Sequence, residues 1–239
     1  MARLSNVAKM AARVSAQQLY EDLRGKIVRC ELRPGEAISE TNTANAYGVS
    51  RTPIREVFWR LGEDGLLRVV PQVGTFVAPI RIASVRDSQF VRETLECRVV
   101  EEAAGKASEA DVAALNAHLA TQRQAITRGD HIAFFASDEA LHRQIMAITD
   151  RPFVWQIIAS AKSQLDRVRF ISLEDAGWLE QMFSQHEAIV RHIARHEPEA
   201  ARRVMQAHLR SAFAAIDRIA KEHSDFFEGL DGDERGGVE

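Results

Sequence analysis

Between Glu40 and Val57 the chain reads ETNTANAYGVSRTPIREV, and that spacing leaves the segment little freedom in how it folds. Two helices packed closely across a three-residue turn need small or apolar residues at fixed offsets. Ala44 stands where the first helix must be approached closely, and Gly48 supplies the left-handed backbone of a sharp turn. Tyr47, Val49, Ile54 and Val57 fall on one shared inner face, and Ser50 is placed to N-cap the second helix. Pro53 sits in the first turn, where its missing N–H costs little. Arg51, Thr52 and Arg55 are then left at the outward N-terminal end of the second helix. Such side chains match base edges and phosphates, so the pattern predicts a DNA-reading helix-turn-helix. The competing reading, a plain helical hairpin with surface arginines, leaves the agreement of turn, cap and exposed cations unexplained.

The flanks extend the motif. Upstream, Leu19, Leu23, Ile27 and Val28 recur at a helical period. Downstream, Gly65 ends the second helix, and LRVV (67–70) and TFVA (75–78) read as two short β-branched strands. The turn between them has its tip at Gln72 to Gly74, where the glycine allows close approach to a sugar-phosphate backbone. The expected unit is a winged helix-turn-helix over residues 15–80, behind a flexible N-terminus (1–14), with Ser50, Arg51, Thr52, Arg55, Gln72 and Gly74 as DNA contacts.

With 239 residues the chain has room for a second domain. Residues 1–80 hold 11 Lys and Arg against 8 Asp and Glu, whereas the remainder holds 20 against 26. The mildly basic half is the one expected to meet DNA. No apolar run reaches membrane-spanning length, and MARLSNVAKM lacks the core of a signal peptide. Cys30 and Cys97 are isolated and read as reduced thiols, which suits a cytoplasmic protein.

From Ser84 onward the signals are helical. Six helices are predicted: 84–105, closed by Gly105; 108–129, opened by a Ser108/Asp111 capping box and closed by Gly129; 130–149; 152–172; 175–196; and 198–223, begun by Pro198. This gives an all-helical antiparallel bundle over 84–223, joined by a short link at 79–83 and followed by a tail, 224–239, expected to be disordered. The fold class is mostly α, with a small β-wing.

A second chemical pattern lies in the bundle. Asp138 and His142 are one helical turn apart on one face. His186, among Met182, Phe183, Ile189, Val190 and Ile193, lies on an inward face, and so does His208, among Val204, Met205, Ser211 and Ala212. Three imidazoles and a carboxylate suit a divalent transition metal: zinc first, nickel or manganese as alternatives. Each inward histidine equally fits a hydrogen-bonded core residue. His192 and His196 imitate a ligand pair, but adjacent Arg191 and Arg195 and the helix end before Pro198 argue against them.

The runs ELRPGEAISE, GVSRTPIREVFWRLGEDGLL and VGTFV resemble the N-terminal domain of GntR-type transcription regulators, in the FadR-like branch. The resemblance implies that Arg51, Thr52 and Arg55 contact DNA and that Gly74 enters the minor groove. Thr41 and Val73 stand where that family usually has basic residues, which implies fewer phosphate contacts, and Thr43 replaces a usual leucine. Residues 84–223 resemble the FCD effector domain, in a subgroup similar to VanR. Asp138, His142, His186 and His208 match its D-x-x-x-H and later histidines, and Arg92-Glu-Thr-Leu-Glu96 its R-x-x-L-E stretch. Metal binding is what this resemblance implies.

A metal with open coordination positions accepts a small carboxylate, and a guanidinium nearby would neutralise the remaining charge. Arg92 is the first candidate for that role and Arg169 the second, although each also fits a simple salt bridge; Arg167, two residues from Arg169, is not expected to point inward with it. The expected function is a DNA-binding regulator, not an enzyme. A homodimer would read a short inverted repeat, with operator affinity set by a small organic acid. The alternatives are a metalloenzyme using the Asp/His/His/His set and a constitutive repressor with a purely structural metal.

Overall fold

The first helix, α1 (Ala16–Val28), is started by a capping box in which the Ser15 hydroxyl accepts from Gln18 N and the Gln18 side chain accepts from Ser15 N. It buries Leu19, Leu23, Ile27 and Val28. In this computed structural model, which describes residues 14–214 and 216–229, α2 (Glu40–Tyr47) and α3 (Arg51–Glu63) follow as the helix-turn-helix. Gly48 closes α2 at φ 63° and ψ 32°, the left-handed conformation expected of the turn, and Val49 N donates back to Ala44 O at 3.0 Å. Ile54, Val57 and Leu61 of α3 are fully buried against α1. Ser50 has the backbone of an N-cap, but its hydroxyl accepts no capping bond.

The wing is a three-stranded antiparallel sheet in the order β1-β3-β2. β2 (Leu67–Val70) and β3 (Gly74–Val77) form the hairpin, with Leu67 opposite Val77 and Val70 opposite Gly74. β1 (Ala37–Ile38) pairs with β3 through Phe76 and Thr75. Two residues carry no periodicity, so this strand has no sequence signal.

The link between the halves is structured. β4 (Ile80–Arg81) leads directly into α4 (Ile82–Lys106). The bundle continues with α5 (Glu109–Arg128), α6 (His131–Ile148), α7 (Pro152–Ala161), α8 (Ser163–Ser172), α9 (Ala176–Ala194), α10 (Pro198–Ala214) and α11 (Ile216–Glu222). The Ser108/Asp111 capping box and the left-handed Gly129 stand where the sequence predicts them. Gly105 does not end its helix: α4 runs one residue further and stops at the extended backbone of Ala107. The helix expected over 152–172 is two helices broken at Lys162 (φ −94°, ψ 3°), whose amine is drawn inward to Glu139 and Asp166.

The tail expected from residue 224 begins as a 3-10 turn (Ser224–Phe226) and then β5 (Phe227–Glu228), which pairs in parallel with β4, Phe227 opposite Ile80. The reason is apolar: Phe227 buries itself with Ile80, Val85, Leu165, Val168 and Ile219 at the junction of the two halves. Residues 1–13 of the predicted flexible N-terminus, and the tail from 230 onward, lie outside the described residues.

Candidate metal centre and nucleic-acid interface

α6 carries Asp138 and His142 on adjacent turns, α9 carries His186 and α10 carries His208, all buried. One ligand atom from each of the four lies within 4.8 Å of the others. His186 Nε2 is 3.2 Å from Asp138 Oδ1 and 3.3 Å from His208 Nε2, and His142 Nε2 is 4.0 Å from Asp138 Oδ1.

The opposite ring nitrogens determine what this cluster can do. His142 Nδ1 donates to Glu96 at 2.5 Å, His186 Nδ1 to Gln122 Oε1 at 2.8 Å, and His208 Nδ1 to Gln185 Oε1 at 3.0 Å. A carboxylate or amide oxygen only accepts, so each imidazole spends its proton outward. In the neutral rings each Nε2 therefore presents a lone pair to the centre. Two such lone pairs facing each other at 3.3 Å repel, and His142 Nε2 is buried without a hydrogen-bond partner. A cation resolves both conflicts, and orienting bonds of this kind are typical of metal-binding histidines. Burial holds His186 below the usual imidazole range despite Asp138, and it holds His208 well below that range with help from the other two rings. Burial would raise Asp138, but the charge of Arg169 overcomes it and keeps the carboxyl well below its ordinary range. Depressed His186 and His208 and an ionised Asp138 match the protonation states that a metal requires. The buried Asp/His/His/His cluster can hold a metal ion.

Glu96, Gln122 and Gln185 do not stand out in the sequence as partners of these histidines. Glu96 had a signal, since it lies in the R-x-x-L-E stretch, while Gln122 and Gln185 each share a helix with a second glutamine and nothing marks them. His192 bonds Glu197 at 2.6 Å and His196 bonds the Ala104 carbonyl at 2.9 Å, both away from the cluster.

The two arginines expected near an effector separate. Arg92 is buried on α4 and its Nε donates to Glu96 at 2.5 Å, so it backs the carboxylate that orients His142. Arg169 instead bonds Asp138 directly and lines a cavity of about 20 Å³ with Asp138, His208, Phe135, Ser172, Trp178 and Met182. That volume holds roughly one water, less than any organic acid. Arg167 faces the other way, with Nη1 donating to Ala78 O at 2.7 Å, yet it too is fully buried, because α8 is enclosed on both sides.

In the N-terminal half, Arg51 and Arg55 line one groove with Thr41, Asn42, Val73, Gly74 and Thr75, so recognition helix and wing face the same space. Thr52 is exposed beside them, and Gln72 stands at the wing tip with φ 62°, exposed. Glu40 receives Arg51 Nη2 at 2.9 Å and lies 3.5 Å from Arg55 Nε. Hydrogen bonding from Arg51 keeps its carboxyl below the usual range. An acid on this face thus orients both guanidiniums.

Two family models match. "Bacterial regulatory proteins, gntR family" covers residues 15–77, and the FCD domain covers residues 87–211. The HTH-type transcriptional repressor RspR of Escherichia coli (strain K12) is 35% identical over 211 residues, covering 88% of this chain and 92% of the relative. An HTH-type transcriptional regulator of Streptomyces ambofaciens is 34% identical over 221 residues, covering 92% and 93%. Among solved structures, E. coli McbR/YncC superposes with a TM-score of 0.75 at 20% identity, covering 85% of this chain and 97% of that one. A GntR regulator from Rhodococcus sp. RHA1 gives 0.72 at 22%, with the same coverage. At those identities the superpositions speak for the fold alone. Winged helix-turn-helix, helical bundle and both family models converge: the chain belongs to the GntR family of bacterial transcription regulators and carries an FCD domain as its second half.

Proposed function

We propose that this regulator acts as a cytoplasmic homodimer whose affinity for operator DNA is set by a small organic acid bound beside a divalent metal, zinc in the first instance, in the FCD bundle. The observation that carries the reading is the inward set of three Nε2 lone pairs and one carboxylate oxygen, bordered by the guanidinium of Arg169. A cation and a guanidinium around one cavity favour a compact anion over a large neutral ligand. Asp138, His142, His186 and His208 would hold the metal, which supplies a Lewis-acidic point for a carboxylate. Arg169 takes the anion-neutralising role, and Arg92 the role of supporting Glu96.

Because the cavity holds about 20 Å³, an acid enters only if part of its wall moves. Arg169 and Ser172, at the end of α8, and Trp178, on α9, form the movable side. Titrating zinc-loaded protein with small hydroxy, keto and sugar acids, while following operator affinity and Tm, tests the reading. One acid should shift both, since a ligand of the folded state raises Tm by mass action. Arg169→Lys should blunt that response while zinc content stays near one per chain. An Arg169→Lys variant that responds like the parent would return the effector role to Arg92 or to neither.

At the other end of the molecule, Ser50, Arg51, Thr52 and Arg55 are the proposed contacts of the recognition helix, with Gln72 and Gly74 those of the wing. The repressor name of the E. coli relative favours repression as the outcome of binding. Arg51→Ala or Arg55→Ala should weaken operator binding by about 1–3 kcal/mol per half-site if the residue reads a base. Gly74→Val should also weaken it, since Gly74 has φ 152° and a side chain there would block the wing. An anisotropy titration with unchanged affinity in both arginine variants removes the assignment. The homodimer is what an inverted-repeat operator requires, and sedimentation velocity on the free protein checks it.

A further inference from the structure

α8 has the composition of a surface helix, SQLDRVRFIS, yet nine of its ten residues are buried. Its polar side chains are spent on two different partners. Toward the DNA-binding half, Gln164 Nε2 donates to Gly65 O at 2.6 Å, just past the end of α3, and Arg167 Nη1 donates to Ala78 O at 2.7 Å, just past β3. Asp166 meets Arg24 of α1 at 2.9 Å. Toward the metal cluster, Arg169 bonds Asp138. One short helix thus grips the DNA-binding domain at three points and the cluster at a fourth.

We propose that α8 is the element that couples the metal site to the DNA-binding domain, through the charged line Asp138–Arg169–Asp166–Arg24. This rests on the metal-site reading above. Asp166 is fully buried and shared by three cations: Lys162 at 2.7 Å, Arg169 at 2.9 Å and Arg24 at 2.9 Å. Glu139 holds Lys162 as well and Arg169 at 2.8 Å. Three cations and three carboxylates therefore balance inside a medium where imbalance is costly. Asp138 is the point of entry. Its Oδ1 faces His186 Nε2 while its Oδ2 holds Arg169, so a divalent cation at the imidazoles and the guanidinium compete for one carboxylate. When the cation arrives, Arg169 leans on Glu139 and Asp166, and Asp166 has less charge left for Arg24. An anion that recruits Arg169 to the cavity acts in the opposite sense, and it must also displace the end of α8 to find room. Arg24 touches neither the cluster nor the proposed DNA face. It is a positioning residue.

The test is hydrogen exchange read by mass spectrometry on the full-length protein, with zinc alone as the probe. In the parent, zinc should change exchange in α6 and α9 and also, by about tenfold, in α1. In Arg24→Met the change in α1 should fall below about twofold, while the changes in α6 and α9 and the zinc content persist. This variant should fold, because Asp166 keeps Lys162 and Arg169. Arg24→Lys restores the charge and should restore the α1 response. If zinc alters α6 and α9 but leaves α1 untouched in the parent, or if Arg24→Met keeps the full α1 response, the coupling is overturned. If zinc alters nothing, the metal reading fails, and the line is then judged by Asp138→Asn. That change loosens Arg169 without any metal, and should alter α1 exchange in the parent background but not with Arg24→Met. If Asp138→Asn leaves α1 exchange unchanged in the parent background, or changes it as much with Arg24→Met, the coupling is overturned independently of the metal.

Discussion

Asp166→Ala should be severely destabilising, costing about 3–5 kcal/mol of stability. Asp166 has no exposed surface and faces Lys162, Arg169 and Arg24 within 2.9 Å. Removing it leaves Lys162, which is itself buried, to share Glu139 with Arg169 and strips Arg24 of its carboxylate, leaving it only the Ser163 hydroxyl at 3.4 Å. Burial alone would raise Asp166; Lys162, Arg169 and Arg24 reverse that and hold the carboxyl below its ordinary range. The ionised form is therefore what the fold is built around. Chemical denaturation followed by circular dichroism measures the loss. Asp166→Asn keeps the shape and some hydrogen bonds but not the charge, and should fall between parent and Asp166→Ala. A cost below about 1 kcal/mol for Asp166→Ala, the range of exposed pairs, would mean that water reaches this network.

The second large effect concerns the metal. Chelation should lower the Tm of the parent, because three helices supply ligands and the ion cross-links them. At free zinc 100 to 1,000 times its Kd, the stabilisation lost is about 2.7–4.1 kcal/mol. His186→Ala and His208→Ala should each lower metal content and become insensitive to chelator. His192→Ala and His196→Ala should retain both metal and sensitivity, since their rings bond Glu197 and the Ala104 carbonyl. Removing one of the two facing imidazoles also relieves the 3.3 Å approach of their Nε2 atoms. The gap between chelated parent and chelated variant should thus be smaller than the gap between their zinc-loaded forms. Full metal occupancy in the His186→Ala/His208→Ala double variant would mean that other residues bind the ion.

Most local signals stand in the structure, although Ser50 makes no capping bond and α4 runs past Gly105. The turn at Gly48, the cap at Ser108 and the stop at Gly129 depend on backbone preferences of single residues, and each stands where the sequence predicts it. The inward faces of His186 and His208 follow from helical period, which is also local. Larger disagreements arise where a distant partner decides. The expected helix breaks at Lys162, whose amine reaches Glu139 on α6, a partner that the local sequence does not show. Phe227 draws a polar tail back to the chain because Ile80 offers it an apolar junction.

Arg92 and Arg169 show the limit within the candidate site itself. Both read as guanidiniums on bundle helices, and nothing in their neighbours in sequence says which one faces the cavity. That depends on Glu96 taking one and Asp138 the other. The same holds for α8, whose charges look solvated until their partners on α1, α6 and the wing come into place.

By itself the sequence determined the helix-turn-helix, the wing hairpin, most helix starts and the inward faces of His186 and His208, while the resemblance to the FCD domain singled out the four candidate ligands. The local features follow from capping, turn conformation and periodicity, which act within a few residues. Only the tertiary structure decided that the four side chains meet, which oxygens turn the imidazoles inward, and that α8 lies buried between the two halves. Those outcomes depend on pairing buried charges and polar atoms across elements far apart in the chain. The energy of such pairing comes from the low-dielectric interior, which exists only after the chain has folded.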